Sequence, residues 1–116
     1  MRDLAHRIRT KLIVLIMFNL MSANAIALFI SGDSGNNFLQ GTASSDTIVG
    51  HAGNDTIIGA GGNDILLGEE DHDLFIWNNG DGSDFIEGGT GRDTSQVNGS
   101  NGAGDDFSIT PNGNRV

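Results

Sequence analysis

The sequence predicts an all-β chain wound into a parallel β-solenoid and preceded by an N-terminal hydrophobic helix. Three observations predict it. From Gly32 to Ile76 the chain divides into five segments of nine residues, GDSGNNFLQ, GTASSDTIV, GHAGNDTII, GAGGNDILL and GEEDHDLFI. The sixth position is Asn37, Asp46, Asp55, Asp64 and Asp73, and the eighth is always apolar: Leu39, Ile48, Ile57, Leu66 and Phe75. All 18 glycines lie between Gly32 and Gly113, none of them in the apolar stretch that opens the chain. A fixed period decides an architecture, because each unit is too small to bury its own apolar residue and must stack on its neighbours.

Met1 to Lys11 carries Arg2, Arg7, Arg9 and Lys11 against one acid, Asp3, and Leu12 to Ile30 is apolar apart from breaks at Asn19, Ser22 and Asn24. A basic start, an apolar run and the small-residue stop Ala23-Asn24-Ala25 fit a secretory signal over residues 1–25. A membrane anchor over residues 12–30, at about the minimum spanning length, fits as well, and so does a true start codon elsewhere. Ala27-Leu28-Phe29-Ile30 reads as a leading strand that caps the first coil.

Residues 26–96 form the repeat block. Within each segment, six residues rich in Gly, Asn and Asp favour a tight turn, since Gly takes positive φ freely and Asn or Asp tolerates it. The remaining three, with their apolar centre, make a strand of about 10 Å. Turn, strand, turn, strand closes one coil, and successive coils pair as parallel strands about 4.8 Å apart. The eighth-position side chains then stack into a thin core, with the turns in two columns outside it. Ser44 and Asp71 replace Gly at the fourth position and are expected to strain their turns. After a slip at Trp77 and Asn78 the frame returns in NGDGSDFIE and GGTGRDTSQ. Trp77 reads as a cover for an end or corner of the core, with a sugar-stacking platform as the alternative. Ser95 stands where an apolar residue belongs, so the coil is expected to fray there. Residues 97–116 read as a C-terminal β extension: Phe107 and Ile109 alternate with polar neighbours, Pro111-Asn112-Gly113 signals a turn, and the whole reads as a fragment of a longer protein.

The columns carry the chemistry. Asp55 and Asp73 lie two segments apart and fall in one column, which Asn37 opens and Asp93 extends; Asp46, Asp64 and Asp84 fall in the other. Like charges about 5 Å apart repel by roughly 1 kcal/mol in water and about 3–4 kcal/mol at an effective dielectric near 20. Turn carbonyls, with Gly50, Gly53, Gly59, Gly61, Gly62 and Gly68 as the candidate contributors, add partial negative charge. A hard cation that takes six to eight oxygens at about 2.3–2.6 Å turns this repulsion into binding, and calcium suits it better than magnesium, which demands octahedral geometry. Zinc prefers His and Cys. Same-column neighbours give three pairs, with two more across the slip, hence about three to five Ca2+ ions. The pair that contains Asn37 is expected to bind weakly. The competing reading is that the carboxylates only cap turns. His51 and His72 read as solvated turn residues rather than metal ligands.

From Ile26 onward there are 14 acidic residues against Arg92 and Arg115, a formal charge of −12. That balance excludes nucleic acid, whose binding needs a basic footprint, and disfavours direct contact of the repeat block with anionic membranes. So acidic and Gly-rich a chain resembles the disordered class unless a ligand orders it, so the block is expected to fold with calcium and to be unfolded without it. Cysteine is absent. There is no HExxH helix, GxSxG elbow or Walker A loop, and every carboxylate of the repeats is explained by the period, so no enzyme is expected. An ice- or sugar-binding solenoid would want a flat column of Thr or aromatic residues, which Asp33, Thr42, His51, Ala60 and Glu69 do not form. An open solenoid end, with its unpaired strand edge, invites end-to-end self-association.

The pattern G-G-x-G-x-D-x-U-x in these seven units resembles the RTX (hemolysin-type) calcium-binding nonapeptide repeat of secreted bacterial proteins, over about 65 of the 116 residues. The resemblance implies a right-handed parallel β-roll, calcium as cofactor, an extracellular location and a type I export machinery. That route reads an uncleaved C-terminal signal, from which an N-terminal leader departs; either route ends in a calcium-rich exterior. It also implies an alternative, an accessory piece of a larger secreted protease, lipase, epimerase or hemolysin.

Overall fold

The computed structural model describes residues 11–12 and 26–100. The expected N-terminal helix and the tail strand at Phe107 and Ile109 lie outside the described residues. The described chain is all-β: β1 (Lys11–Leu12), β2 (Phe29–Ser31), β3 (Asn37–Gln40), β4 (Thr47–His51), β5 (Thr56–Ile58), β6 (Ile65–Glu69), β7 (Leu74–Asn78), β8 (Phe85–Gly89) and β9 (Thr94–Asn98). Among the described residues no helix is long and apolar enough to cross a membrane.

Each turn passes the chain from one sheet to the other. The odd strands form one sheet in the order β1-β3-β5-β7-β9 and the even strands a second in the order β2-β4-β6-β8. Every pairing is parallel, and the result is a parallel β-solenoid of about four coils. The leading strand expected at residues 27–30 is present one residue later, as Phe29–Ser31 paired to β4.

The core is the eighth-position column from each sheet. Ile30, Ile48 and Leu66 come from the even sheet and Leu39, Ile57 and Phe75 from the odd one, each no more than 5% exposed, with Leu28 and Ile86 packed against them. Of the flanking positions Val49 is buried too, at 7% exposure, while Phe29, Ile65 and Phe85 are exposed.

The slip at Trp77 does not break the stack. Ile65 pairs with Phe85 and Leu74 with Thr94, a step of 20 residues in place of the 18 that links Thr47 with Ile65. The two extra residues are taken up in a longer turn closed by Asp81 N–H to the Asn78 carbonyl (3.0 Å) and Asn78 N–H to Asp81 Oδ2 (2.6 Å). Trp77 braces that turn by donating its indole N–H to the Gly82 carbonyl. Ser95 does not fray the coil either: it pairs with Phe75, and β9 stays in register to Asn98. Backbone pairing needs no apolar side chain, so the strand forms while all five of its residues stay exposed.

Leu66→Ala removes a fully buried side chain from a core one residue wide, and should cost about 2–5 kcal/mol in denaturant unfolding at saturating calcium. Ile65→Ala, on the outer face beside it, should change stability by no more than about 0.5 kcal/mol.

Candidate metal centre

The sixth and eighth positions are two residues apart, so in extended chain they share a face. The sixth-position side chains therefore point inward beside the core instead of standing out on the turns. Asn37, Asp46, Asp55, Asp64 and Asp73 are all buried, at 4% exposure or less. A peptide N–H meets each carboxylate: the amide of a sixth-position residue donates to the Oδ1 of the sixth-position Asp one coil later. These bonds run Asn37 to Asp55 (2.8 Å) and Asp55 to Asp73 (2.9 Å) in one column, and Asp46 to Asp64 (2.7 Å) in the other. The insertion lets them continue, Asp64 to Asp84 and Asp73 to Asp93, both at 3.0 Å. Leu28 N–H occupies Asp46 Oδ1 at the start. The two columns expected from the period are thus assembled as expected, with Asp84 and Asp93 in line.

The second oxygens separate the sites. Asp55 Oδ2, Asp64 Oδ2 and Asp73 Oδ2 are buried without a hydrogen-bond partner, an arrangement that costs a desolvation penalty unless a cation accompanies it. Each faces the first glycine of its own turn. A Cβ on Gly68 would strike Asp73 Oδ2 and come within 2.7 Å of the Gly88 carbonyl oxygen; on Gly50 it would strike Asp55 Oδ2 and come within 3.0 Å of the Gly68 carbonyl oxygen. At Gly50 and Gly68 the first position is thus hemmed by one carboxylate oxygen and one carbonyl oxygen from the next coil. Among the described residues no group of three or more His, Cys, Asp or Glu side chains is placed to hold a metal ion by itself. A cation here would draw on backbone carbonyls as well as carboxylates, an all-oxygen donor set of the kind calcium takes.

The turns are of two kinds. In the later ones the second and fourth positions are left-handed: His51 and Gly53, Ala60 and Gly62, Glu69 and Asp71, Gly80 and Gly82, Gly89 and Gly91. The strain expected at Asp71 is there (φ 77°), but Ser44 is not left-handed. The first two turns close on their own side chains instead. Asn37 Oδ1 accepts the Asp33 N–H while its amide donates to Asp33 Oδ1. Asp46 Oδ2 accepts both the N–H and the hydroxyl of Thr42, at 2.6 and 2.9 Å. Asp46 Oδ2 is thus bonded within its own turn, whereas Asp55, Asp64 and Asp73 each keep an oxygen to spare.

A second ladder escaped the sequence reading. The fifth-position side chain accepts the fifth-position N–H of the next coil: Asn36 from Asn54, Asn54 from His72 and His72 Nδ1 from Arg92 in one column, Ser45 from Asn63 and Asn63 from Ser83 in the other. The signal was a polar residue at every fifth position. His72 is consequently bonded rather than merely solvated, and so, outside this ladder, is His51, whose Nδ1 lies 2.7 Å from Glu69 Oε2.

Burial pushes the carboxyls of Asp55 and Asp64 up to about 6, against the backbone N–H of Asn37 or Asp46, with Asp73 or Asp84 adding to the rise. Asp73 and Asp84 are raised for the same first cause. Because the folded value lies above the unfolded 3.8, the metal-free roll binds more protons than the unfolded chain, and its stability falls as pH rises through about 4 to 6. In chelator, circular dichroism should accordingly report more β structure at pH 4.5 than at pH 7.5. Asp64→Asn should lower the calcium stoichiometry in isothermal titration, while Asp46→Asn should leave it unchanged and lower only the thermal midpoint.

No curated protein and no solved structure matches the chain. A family model described as RTX calcium-binding nonapeptide repeat (4 copies) matches residues 31–66, 40–75 and 78–94. These stretches take in just over half of the chain and every turn described above, and the chain belongs to the family of RTX calcium-binding nonapeptide repeats.

Proposed function

We propose that this calcium-binding module is folded by calcium outside the cell, as part of a secreted protein. The observation that carries this reading is the set of three buried, partnerless carboxylate oxygens on Asp55, Asp64 and Asp73. Near neutral pH their charge opposes coiling, and a divalent cation removes the opposition where the chain's own donors do not reach. Three ions, one at each of the turns 50–55, 59–64 and 68–73, account for these oxygens. The turns that close on Asp33 and Thr42 have no need of one. Each ion at tenfold excess over its dissociation constant stabilises the coil by about 1.4 kcal/mol. Affinities of about 10⁻⁴–10⁻³ M, usual for extracellular calcium modules, would keep the chain uncoiled at low cytoplasmic calcium and coil it outside.

An uncoiled chain also suits a type I export machinery. The exposed β9 edge supports end-to-end association of coiled chains.

Titration of the refolded chain with calcium should show binding and the growth of a β spectrum over the same concentration range, with magnesium far weaker. A full β spectrum in excess chelator at pH 7.5 would sink the proposal.

A further inference from the structure

The turn that absorbs the two-residue insertion carries chemistry that neither the core nor the calcium sites use. Asn79 and Gly80 lie exposed in it. Gly80 is left-handed, at φ 94°, with open space where a Cβ would stand. Asparagine is a chemically labile residue, most of all before glycine, because glycine has no side chain to screen its own peptide nitrogen. That nitrogen can attack the preceding Cγ when two groups are free to meet: the carboxamide and the next peptide N–H.

Every other asparagine among the described residues has at least one of them held. In the fifth-position ladder, Asn36, Asn54 and Asn63 each accept a peptide N–H through Oδ1. The nitrogens that follow them, of Asn37, Asp55 and Asp64, donate to carboxylates one coil on. Asn37 is closed on Asp33 through its oxygen and its amide. Asn98 also precedes a glycine, Gly99, but both ends of its carboxamide are held: Nδ2 donates to Asn78 Oδ1 at 2.9 Å, and Oδ1 accepts from Gln96 Nε2 at 3.1 Å. The same contact holds Asn78. Asn79 is anchored only by its peptide N–H, which donates to the Asn98 carbonyl at 2.9 Å; among the described residues its carboxamide and the Gly80 N–H bond to nothing.

We propose that Asn79 is a site of spontaneous deamidation in the coiled chain, with water as the co-reactant. The Gly80 nitrogen loses its proton to solvent and bonds to Asn79 Cγ. The Cγ–Nδ2 bond breaks, and ammonia leaves with a proton from solvent. Water then opens the five-membered imide. Attack at Cγ gives an aspartate with the original main chain; attack at the main-chain carbonyl carbon gives a β-linked residue whose free carboxylate is the former main-chain carbonyl. Either product adds a negative charge to a turn that already holds Asp81. The β-linked product also puts one more methylene carbon into the main chain, in the turn that sets the register of β8 on β6 and of β9 on β7. The coil thus contains a slow, irreversible change placed to loosen its last two strands.

The test incubates the full chain in saturating calcium at pH 7.5, after its β spectrum has been recorded, in water enriched in heavy oxygen, with peptide mapping by mass. Asn79 should take up one heavy oxygen and yield two products, aspartate and its β-linked isomer. It should convert on the order of 10- to 100-fold faster than Asn98, which has two hydrogen bonds to give up first. Asn78→Ala combined with Gln96→Ala frees the Asn98 carboxamide and should bring its rate up to that of Asn79. The β-linked product, separated from the aspartate product, should melt at the lower temperature of the two, since they carry the same charge and differ only in the main chain. In a chain that shows the β spectrum, equal rates at Asn79 and Asn98, conversion of Asn98 ahead of Asn79, or a double variant whose Asn98 stays as slow as before would overturn the assignment.

Discussion

One contact repeats through this molecule and the rest depends on it: a peptide N–H of one coil donates to the Oδ1 of an inward-facing aspartate on the next. It is a charge-assisted bond, stronger than a neutral amide pair, and it ties the coils together at the point where turn passes into strand. Its cost is the other oxygen. A carboxylate buried to satisfy one donor keeps a second acceptor, and at Asp55, Asp64 and Asp73 nothing in the chain meets it. The same residue thus holds successive coils in register and keeps an acceptor that the chain itself does not meet.

Core and metal site are two readings of one alternation. Sixth and eighth residues lie on the same face of an extended chain, so the aspartate column and the apolar column run side by side into the interior. The core cluster takes one apolar residue from each strand from β2 to β7. Where the turn supplies donors of its own, as Thr42 does for Asp46, the carboxylate is complete and the turn needs no left-handed residues. In the turns of Asp55, Asp64 and Asp73 the second and fourth positions are left-handed, and, as in the two earlier turns, a Cβ on the first-position glycine would meet the sixth-position side chain.

The fifth-position ladder works in the opposite sense, with the amide on the later coil and the acceptor on the earlier one. Together the two ladders bond each coil to its neighbour in both directions using polar groups alone. That is why the solenoid absorbs the insertion at Trp77 and continues past Ser95: register is carried by peptide groups and short polar side chains, not by the apolar column.

The period by itself determined the coil, the two sheets, the identity of the core residues from Leu39 to Phe75 and the assignment of each aspartate to its column, because a nine-residue repeat with one apolar position leaves few ways to bury it. Sequence could not tell Asp46 from Asp64, since both occupy the sixth position. The difference lies in whether a donor two positions into the turn reaches the second oxygen, and that depends on turn conformation. Nor could it join Ser31, His51 and Glu69, which are about 20 residues apart in sequence and share no motif. Only the stacking of three coils, which sets strand ends a few ångströms apart, decides that they touch.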